Sequence, residues 1–367
     1  EMKNIFIGLM TGTSVDAIDI AGLSIDHQSF ELLNAKSYPF PKNLKNEILE
    51  CSRNQDTIDD KEMGTLGDKL ANIYVKSIEA FIDEFNFKKE MIHAIGLHGQ
   101  TISHKPNDLK PTSIQIGNGK IVANKTGLTV VNDFRRADII AGGQGAPLAP
   151  LFHNRFFGEA NKIRAVINIG GIANISIFGK ELAGYDIGPG NVLMDSWCRE
   201  IKARDFDENG RWAKKGSLNQ ELLESFLEEE FIYKKPPKSS GTDYFNIKWI
   251  NQKLKQFGDP ICETDIQRTL AEFTAVIISN EINRLSELDQ IAFCGGGTKN
   301  NFLMKLINKK TFPKVVKTDC WGINHEWVEA AGFAYLAFLN INNHLVDMSN
   351  ITGSSGMIKL GSVEYPE

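Results

Sequence analysis

The sequence has few cysteines, no long apolar run and no block of one charge, and each absence argues against a class of protein. The five cysteines include no Cys-x-x-Cys pair, which argues against structural zinc and a disulfide framework and favours a reducing cytoplasm. No run approaches the roughly 18 apolar residues of a membrane helix, and Lys3 leads directly into an apolar segment without a signal-peptide pattern. We therefore expect neither secretion nor membrane insertion.

Charge and composition are those of an ordinary globular protein. Lysine and arginine number 41 against 46 aspartates and glutamates, so the net charge is −5, and nucleic acid is not an expected partner. Apolar residues make up 42% and charged residues 24% of the 367-residue chain. This length and composition fit two domains, each with its own core.

Short apolar runs alternate with longer helical patterns, which favours an α/β architecture. We expect a first domain over residues 1–135 and a second over 136–339, with residues from about 340 to 367 as a candidate to pack back on the first. The predicted strands cover 15–25, 94–98, 163–169 and 291–294, and the predicted helices cover 44–51, 60–85, 192–201, 265–285 and 301–308.

Two glycine-containing hairpins are the most informative motifs. The patterns over residues 8–23 and 166–178 each predict a strand, a glycine turn and a second strand. Glycine lets backbone N–H groups approach an anion closely, and Thr11, Thr13 and Ser14 add hydroxyl donors to the first turn. Neither turn ends in the Gly-Lys-Ser/Thr of a Walker loop. The repetition predicts two phosphate-binding turns, although each alone is more typical of an ordinary tight turn.

A third glycine cluster, Gly295-Gly296-Gly297, follows the predicted strand 291–294 and precedes the predicted helix 301–308. A strand, a glycine turn and a helix N-terminus together form a corner that suits a nucleotide. A purely structural turn is the alternative interpretation.

Six segments, in this order, resemble the anhydro-N-acetylmuramic acid kinase family: GLMTGTSVDAID (8–19), LHGQT (97–101), DFRRADIIAGGQGAPLAP (133–150), NIGGIANI (168–175), YDIGPGN (185–191) and CGGGTKN (294–300). The resemblance implies an α/β fold of two actin/hexokinase-like domains, each with a mixed sheet flanked by helices, and a nucleotide cleft between them. It also implies a cytoplasmic enzyme of peptidoglycan recycling, with a homodimer as a candidate assembly. The implied reaction converts 1,6-anhydro-N-acetylmuramic acid, ATP and water into N-acetylmuramic acid 6-phosphate and ADP, with Mg²⁺ as cofactor.

Two other function classes stay open beside this one. A related anhydrosugar kinase of the levoglucosan type would share the motifs but take another sugar. An actin-like nucleotide-binding assembly protein would need nucleotide contacts and polymer surfaces, but no general base beside a second small-molecule pocket.

Residues of the glycine motifs become the candidate nucleotide ligands. They are Gly12, Thr13, Ser14, Val15, Asp16, Ala17, Ile18 and Asp19, then Asn168, Gly170, Gly171, Gly188, Gly295, Gly296, Gly297 and Asn300. Two residues in these segments depart from the family pattern. Ala17 stands where glycine is usual, so its backbone must be helical or extended unless the loop shifts. Ile187 stands where threonine is usual and removes a hydroxyl beside Asp186.

Three carboxylates have candidate roles in catalysis. Asp186 precedes a Gly-Pro-Gly turn and matches the family's catalytic carboxylate, so the resemblance implies a general base that deprotonates the attacking water. A turn-forming or helix-capping aspartate is the alternative. Asp16 and Asp19 are candidates to hold magnesium-bound waters, because Mg²⁺ prefers few carboxylates and several waters, with turn solvation as the alternative.

Four residues are candidates to bind the sugar. Arg135 and Arg136 suit the lactyl carboxylate of a muramic acid through the guanidinium fork, and surface ion pairing is the alternative. Glu329 matches a glutamate that the family carries near its sugar pocket, or is a solvated residue on a helix face. His98 is either a substrate contact or a packing residue.

Two loops adjoin these motifs. Residues 233–242 contain Pro236-Pro237 and Ser239-Ser240-Gly241, which cannot continue a helix and predict an exposed loop on the substrate side. Residues 142–147 are glycine-rich, and we expect flexible backbone there that lines the sugar cleft or a hinge.

Overall fold

The chain folds into two units, which the computed structural model describes over residues 4–12, 15–54, 58–106, 108–285, 287–312 and 315–367. The first unit comprises Glu1–Phe152 and Trp327–Glu367, and the second comprises His153–Glu326. The second unit is therefore one continuous segment, whereas the first unit is completed by a segment that follows the second.

The helices and strands alternate along the chain. The strands are β1 (Ile5–Thr11), β2 (Ala17–Ile25), β3 (Phe30–Pro39), β4 (Ile92–Leu97), β5 (Gln100–Lys105), β6 (Thr112–Ile116), β7 (Val130–Asn132), β8 (Arg164–Ile169), β9 (Ile172–Phe178), β10 (Ala183–Pro189), β11 (Gln290–Cys294), β12 (Val315–Lys317), β13 (Val346–Asp347), β14 (Met357–Ile358) and β15 (Ser362–Glu364). The α-helices are α1 (Lys42–Arg53), α2 (Asp60–Glu84), α3 (Gly119–Thr126), α4 (Arg136–Ile140), α5 (Ala149–Phe157), α6 (Val192–Lys202), α7 (Gln220–Leu227), α8 (Glu230–Tyr233), α9 (Ile247–Phe257), α10 (Glu263–Arg284), α11 (Asn301–Lys310) and α12 (Val328–Ile341).

The first unit is built on a sheet of order β15-β7-β4-β1-β2-β3. β1, β2 and β3 pair antiparallel, whereas β4 runs parallel to β1 and β7 parallel to β4. Helix α12 packs against β1 and β4 at two glycines. A Cβ atom on Gly8 would lie 1.8 Å from the Ala330 carbonyl oxygen, and one on Gly96 would lie 2.0 Å from the Phe333 carbonyl oxygen. These two positions must therefore be glycine for the helix to approach the sheet.

The second unit is built on a sheet of order β10-β9-β8-β11-β12. β8, β9 and β10 pair antiparallel, β11 runs parallel to β8, and β12 runs parallel to β11. The order and directions repeat those of β3-β2-β1-β4-β7 in the first unit. Helix α10 is buried along most of its length and packs against α6, α7 and α11, and in this core Trp249 stacks on Phe273 with ring centroids 5.9 Å apart.

The predicted α/β class, with two mixed sheets flanked by helices, is confirmed. Both predicted hairpins are present: β1 and β2 close at the pair Thr11 and Ile18, and β8 and β9 close at the pair Ile169 and Ala173. The third glycine cluster also lies where predicted, between β11 and α11, with a short 3₁₀ turn at Gly296–Lys299.

The two units differ from the predicted domain bounds of 1–135 and 136–339. Residues after 135 stay with the first unit because Asp138 accepts hydrogen bonds from Gly145 N at 2.7 Å and from Thr352 Oγ1 at 2.6 Å. Residues from 327 join it because α12 covers the first sheet. None of the helices in the described ranges combines the length and apolarity that crossing a membrane requires.

Candidate active site

The first hairpin turn contains part of the predicted nucleotide site. Thr13 and Ser14 lie outside the described residues. Val15 donates its N–H to the Gly12 carbonyl at 3.0 Å and has φ of +53°, a left-handed conformation that strains a β-branched residue. Ala17 is extended and begins β2, as its side chain requires. Among the described residues of this turn, Val15 has the left-handed conformation.

The carboxylates beside this turn already have protein partners. Asp16 forms an ion pair with Lys45 at 2.6 Å, and Asp19 accepts a hydrogen bond from the Ser37 hydroxyl. Ile18 faces the core, so any nucleotide contact there would come from its main chain. In the described ranges, no group of three or more His, Cys, Asp or Glu side chains is arranged to hold a metal. Both aspartates nevertheless offer the oxygen ligands that Mg²⁺ prefers.

Two predicted sugar-binding residues meet in the first unit. Arg135 donates from Nη1 to the Gly145 carbonyl at 2.8 Å, and its Nη2 lies 2.9 Å from His98 Nε2. The histidine ring also packs on Phe333, with centroids 4.6 Å apart. Burial, and then the charge of Arg135, hold the pKa of His98 well below its ordinary value. His98 is therefore neutral at pH 7 and accepts the guanidinium hydrogen bond through Nε2.

The other two sugar-binding candidates lie in more exposed positions. The Arg136 side chain is 75% exposed and lies 3.8 Å from Asp133, which is the surface ion pair given above as the alternative. Glu329 is half-buried in the first turn of α12. Their binding roles stay predictions.

The glycine-rich run 142–147 is held by hydrogen bonds. Gly143 N donates to the Asp138 carbonyl at 2.8 Å, Gly145 N donates to the Asp138 carboxylate, and Gln144 N donates to the Thr352 carbonyl at 3.0 Å. A Cβ atom on Gly143 would lie 2.3 Å from Asp138 Oδ2, so the backbone approaches this carboxylate too closely for a side chain. The structure thus fixes a segment that the sequence suggested was flexible.

In the second unit, the hairpin turn is joined to the start of α6. The Gly170 carbonyl accepts a hydrogen bond from Asn191 N at 2.8 Å, and the Gly171 carbonyl accepts from Gly190 N at 2.8 Å and Val192 N at 3.1 Å. These bonds bring the predicted phosphate-binding turn next to the end of β10.

The third glycine turn packs on the end of β8. Gly295 has φ of +85°, and a Cβ atom there would lie 2.1 Å from Asn168 Oδ1; one on Gly297 would lie 2.3 Å from Ile169 Cγ2. At Gly296, apart from its two chain neighbours, no atom of the described residues lies within 4 Å of the Cβ position. Two of the glycines thus allow close packing, while the third borders open space.

Two other predicted nucleotide ligands have structural roles. The Asn300 side chain accepts a hydrogen bond from Leu303 N at 3.0 Å and so caps α11. A Cβ atom on Gly188 would lie 2.8 Å from Ile277 Cδ1. Packing and capping explain these residue types, and contact with a nucleotide stays a prediction.

A buried polar chain that the sequence analysis missed lies beneath the third glycine turn. His153 Nδ1 lies 2.7 Å from Ser176 Oγ, and its Nε2 lies 3.8 Å from Cys294 Sγ. Cys294 Sγ lies 3.8 Å from Asn168 Oδ1. His153 is fully buried, and burial lowers its pKa to about 3, so it is neutral at pH 7. Because its members are far apart in sequence, no local pattern indicated this chain.

Asp186 lies in strand β10 and is only 5% exposed. Asp186 pairs with Asn174 and Gly188 with Ala173, so Ile187 is the extra residue of a β-bulge. Bulges bend a strand and redirect its side chains, and they are common beside active sites. The helix-capping interpretation is wrong, because α6 begins at Val192 and its cap position is taken by Asn191.

Three consecutive residues contact Asp186. The Lys238 carbonyl accepts a hydrogen bond from Asp186 N at 3.0 Å, while the Ser239 hydroxyl at 3.1 Å and Ser240 N at 2.9 Å donate to Oδ2. The prediction of an exposed loop over 233–242 holds for 234–237. It is wrong at Tyr233, which is exposed but ends α8, and for residues 238–241, which are buried. The sequence signal was the Ser-Ser-Gly run, which indicated a loop but not its partner.

The comparisons with known proteins agree with the sequence resemblance. A sequence model described as anhydro-N-acetylmuramic acid kinase matches residues 4–366. Curated relatives with that name include proteins from Sulfurimonas denitrificans (40% identical, covering 99% of this chain and 100% of the relative), Pasteurella multocida (39%, covering 100% and 98%) and Vibrio cholerae (38%, covering 100% and 99%).

A solved ROK family glucokinase from Streptomyces griseus, in complex with glucose and AMPPNP, is 16% identical, with a TM-score of 0.39 over 90% of this chain and 98% of that one. The family match covers nearly the whole chain, and the curated relatives match along almost their full lengths. We conclude that this chain belongs to the anhydro-N-acetylmuramic acid kinase family and is an ATP-using kinase of cell-wall recycling.

Proposed function

We propose that this chain hydrolyses the 1,6-anhydro bond of anhydro-N-acetylmuramic acid and transfers the γ-phosphoryl group of ATP to O6. The products are N-acetylmuramic acid 6-phosphate and ADP. Family membership supports the choice of substrate. The observation that carries the chemistry is the buried Asp186 carboxylate at the bulge of β10.

The proposed reaction needs a general base. Water attacks C1 of the sugar, and the bond between C1 and O6 breaks with its electron pair moving to O6. O6 then bonds to the γ-phosphorus, and ADP leaves. Asp186 is the proposed acceptor of the proton that the water loses. A carboxylate with fixed partners presents its oxygens to that water in one orientation, which favours reaction.

Main-chain donors are proposed to hold the nucleotide. Phosphoryl transfer depends mainly on positioning and electrostatics, so glycine turns suit it. The open space beside Gly296 supports this role for the third turn. The other glycine-motif residues named above are proposed to contribute from the two hairpin turns.

Mg²⁺ is proposed as the cofactor, held through water by Asp16 and Asp19. Their carboxylate oxygens fit its ligand preference. When bound, Mg²⁺ neutralises charge on the transferred phosphoryl group.

Arg135 and His98 are proposed to bind the sugar, with the guanidinium group facing the lactyl carboxylate. Their direct contact supports treating them as one group. Arg136 and Glu329 are proposed as additional contacts. Because ATP is the donor, we also propose a cytoplasmic location. The predicted homodimer is to be tested by light scattering coupled to chromatography.

The decisive experiment measures ADP release by the purified protein with ATP, Mg²⁺ and a panel of sugars. We expect faster release with 1,6-anhydro-N-acetylmuramic acid than with levoglucosan or N-acetylmuramic acid, and no release after chelation of Mg²⁺. In ¹⁸O-labelled water, the label should enter the C1 hydroxyl and not the phosphate. Equal turnover of glucose, or label in the phosphate, would contradict the proposal.

A further inference from the structure

The second unit places three consecutive residues against Asp186, and they contact both its main chain and its carboxylate. We propose that Lys238, Ser239 and Ser240 form a positioning segment that fixes the orientation of the Asp186 carboxylate. This inference rests on the proposed function of Asp186 as the general base. The segment acts through Asp186 and has no separate part in the chemistry.

The hydrogen bonds hold both the main chain and the carboxylate of Asp186. The bond from Asp186 N to the Lys238 carbonyl, 3.0 Å long, sets the distance between β10 and the segment. Two donors, the Ser239 hydroxyl and Ser240 N, then meet at Oδ2. Rotation of the carboxylate would break both of these bonds. Ile187 has no hydroxyl to offer here, and Ser239 supplies one from a distant part of the chain.

The Lys238 side chain anchors the segment to the bulge. Its Nζ donates to three main-chain carbonyls, those of Ile187 at 3.5 Å, Phe231 at 3.3 Å and Ile232 at 3.1 Å, and lies 5.0 Å from the centre of the Phe231 ring. Lys238 is only 4% exposed. Among the described residues, no carboxylate lies within ion-pair distance of Nζ.

A buried ammonium without a close carboxylate is unfavourable unless its surroundings compensate it. Burial accordingly lowers the pKa of Lys238. The charges of Glu281 and Asp186 favour the protonated form, whereas those of Arg284 and Lys234 oppose it. Lys238 therefore ties the segment to the carbonyl of Ile187.

Ser239→Ala tests the inference, because it removes one donor to Oδ2 and leaves the main-chain bonds in place. A hydrogen bond to the ionised form lowers a carboxylate pKa, so its loss should move the acidic limb of kcat/KM upward by about one pH unit. We expect kcat to fall about tenfold while KM for ATP stays unchanged. Ser239→Thr keeps the hydroxyl and should restore the wild-type pH profile.

Ser217→Ala is the matched control, since Ser217 is an exposed serine of the same unit, and it should leave kcat and the pH profile unchanged. Position 239 is buried and leaves little room for the added methyl group of threonine, so the double variant Asp186→Asn/Ser239→Ala gives a second measurement. If Ser239 acts only through Asp186, the double variant should be no slower than Asp186→Asn alone.

The possible outcomes separate the two proposals. Suppose that Ser239→Ala leaves kcat and the acidic limb of the kcat/KM profile unchanged, while Asp186→Asn is inactive. This result would overturn the positioning role and leave the proposed function intact. A further loss of rate in the double variant would also overturn it. Wild-type activity in Asp186→Asn would overturn the role of Asp186 as the general base, on which this inference rests.

Discussion

The two units share a strand order but use glycine differently. In the first unit, Gly8 and Gly96 lie inside the sheet, where α12 approaches the backbone too closely for any side chain. In the second unit, Gly295 and Gly297 lie in the turn after β11, which packs on the end of β8, and Gly296 between them faces open space. The same residue type therefore serves helix packing in one unit and shapes the candidate nucleotide turn in the other.

The carboxylates of the two units differ as well. Asp16 in the first unit is exposed and paired with Lys45, whereas Asp186 in the second is buried and held by three neighbouring residues. A surface ion pair leaves a carboxylate mobile and hydrated, and buried hydrogen bonds hold it in one orientation. This contrast supports the proposal that the general base lies in the second unit.

The largest expected effect is at Asp186. Asp186→Asn keeps the shape of the side chain but removes its basicity, so kcat should fall by roughly 10²–10⁴. Steady-state kinetics measure the loss, and calorimetric titration with ADP should show nearly unchanged nucleotide affinity. A variant that keeps most of its activity would pass the base role to another carboxylate, with Asp16, Asp19 and Glu329 as the next candidates.

A glycine pair tests the contrast in packing. Gly8→Ala forces a Cβ atom against the Ala330 carbonyl and should destabilise the first unit by about 3 kcal/mol or more. Gly296→Ala adds a methyl group to open space, so the free energy of unfolding from thermal denaturation should stay within about 0.5 kcal/mol of the wild type. KM for ATP should rise, because the methyl group occupies space proposed for the nucleotide. Equal loss of stability in both variants would remove the distinction between the two kinds of glycine.

The two arginines of the first unit, Arg135 and Arg136, should differ in how much their loss raises KM for the sugar. Arg135→Ala removes the partner of His98 and the proposed carboxylate ligand, and should raise KM for the muramic substrate by a factor corresponding to about 1.5–3 kcal/mol. Arg136→Ala removes an exposed ion pair with a long N–O distance, and should change KM by a factor corresponding to less than about 1 kcal/mol. If Arg135→Ala affects an analogue without the lactyl group equally, Arg135 is structural.

The smallest effect concerns acid stability in the second unit. The pKa of His153 is about 3 in the folded protein against 6.5 in model peptides, so the unfolded chain binds this proton more readily between these values. The stability that neutral His153 contributes is present above pH 6.5 and is lost as pH falls, by about 2 kcal/mol at pH 5. Urea unfolding at pH 7 and pH 5 measures this effect. The free energy of unfolding should fall less between the two pH values in His153→Gln than in the wild type. An equal loss would assign the acid sensitivity to other groups.

Local signals explain what the sequence predicted well. The β-branched runs and glycines of the hairpins lie within about 20 residues, so strand, turn and strand are visible in one window. The burial of Ser239 depends on Asp186, 53 residues away, and the contact between His98 and Arg135 spans 37 residues. Such contacts depend on the order of strands in the sheet, which a single sequence does not reveal. The packing of α12 on β1 was missed for the same reason. The strand β3 was missed because its residues are exposed or half-buried throughout and show no strong apolar pattern.

The position of α12 has a consequence for biosynthesis. β1 leaves the ribosome roughly 320 residues before α12, a delay of about 15–60 s at a synthesis rate of about 5–20 residues per second. During that time one face of the first sheet lacks its covering helix. The second unit is a continuous segment that is complete before α12 is made. The unit that starts first in the sequence is therefore the one that finishes folding last.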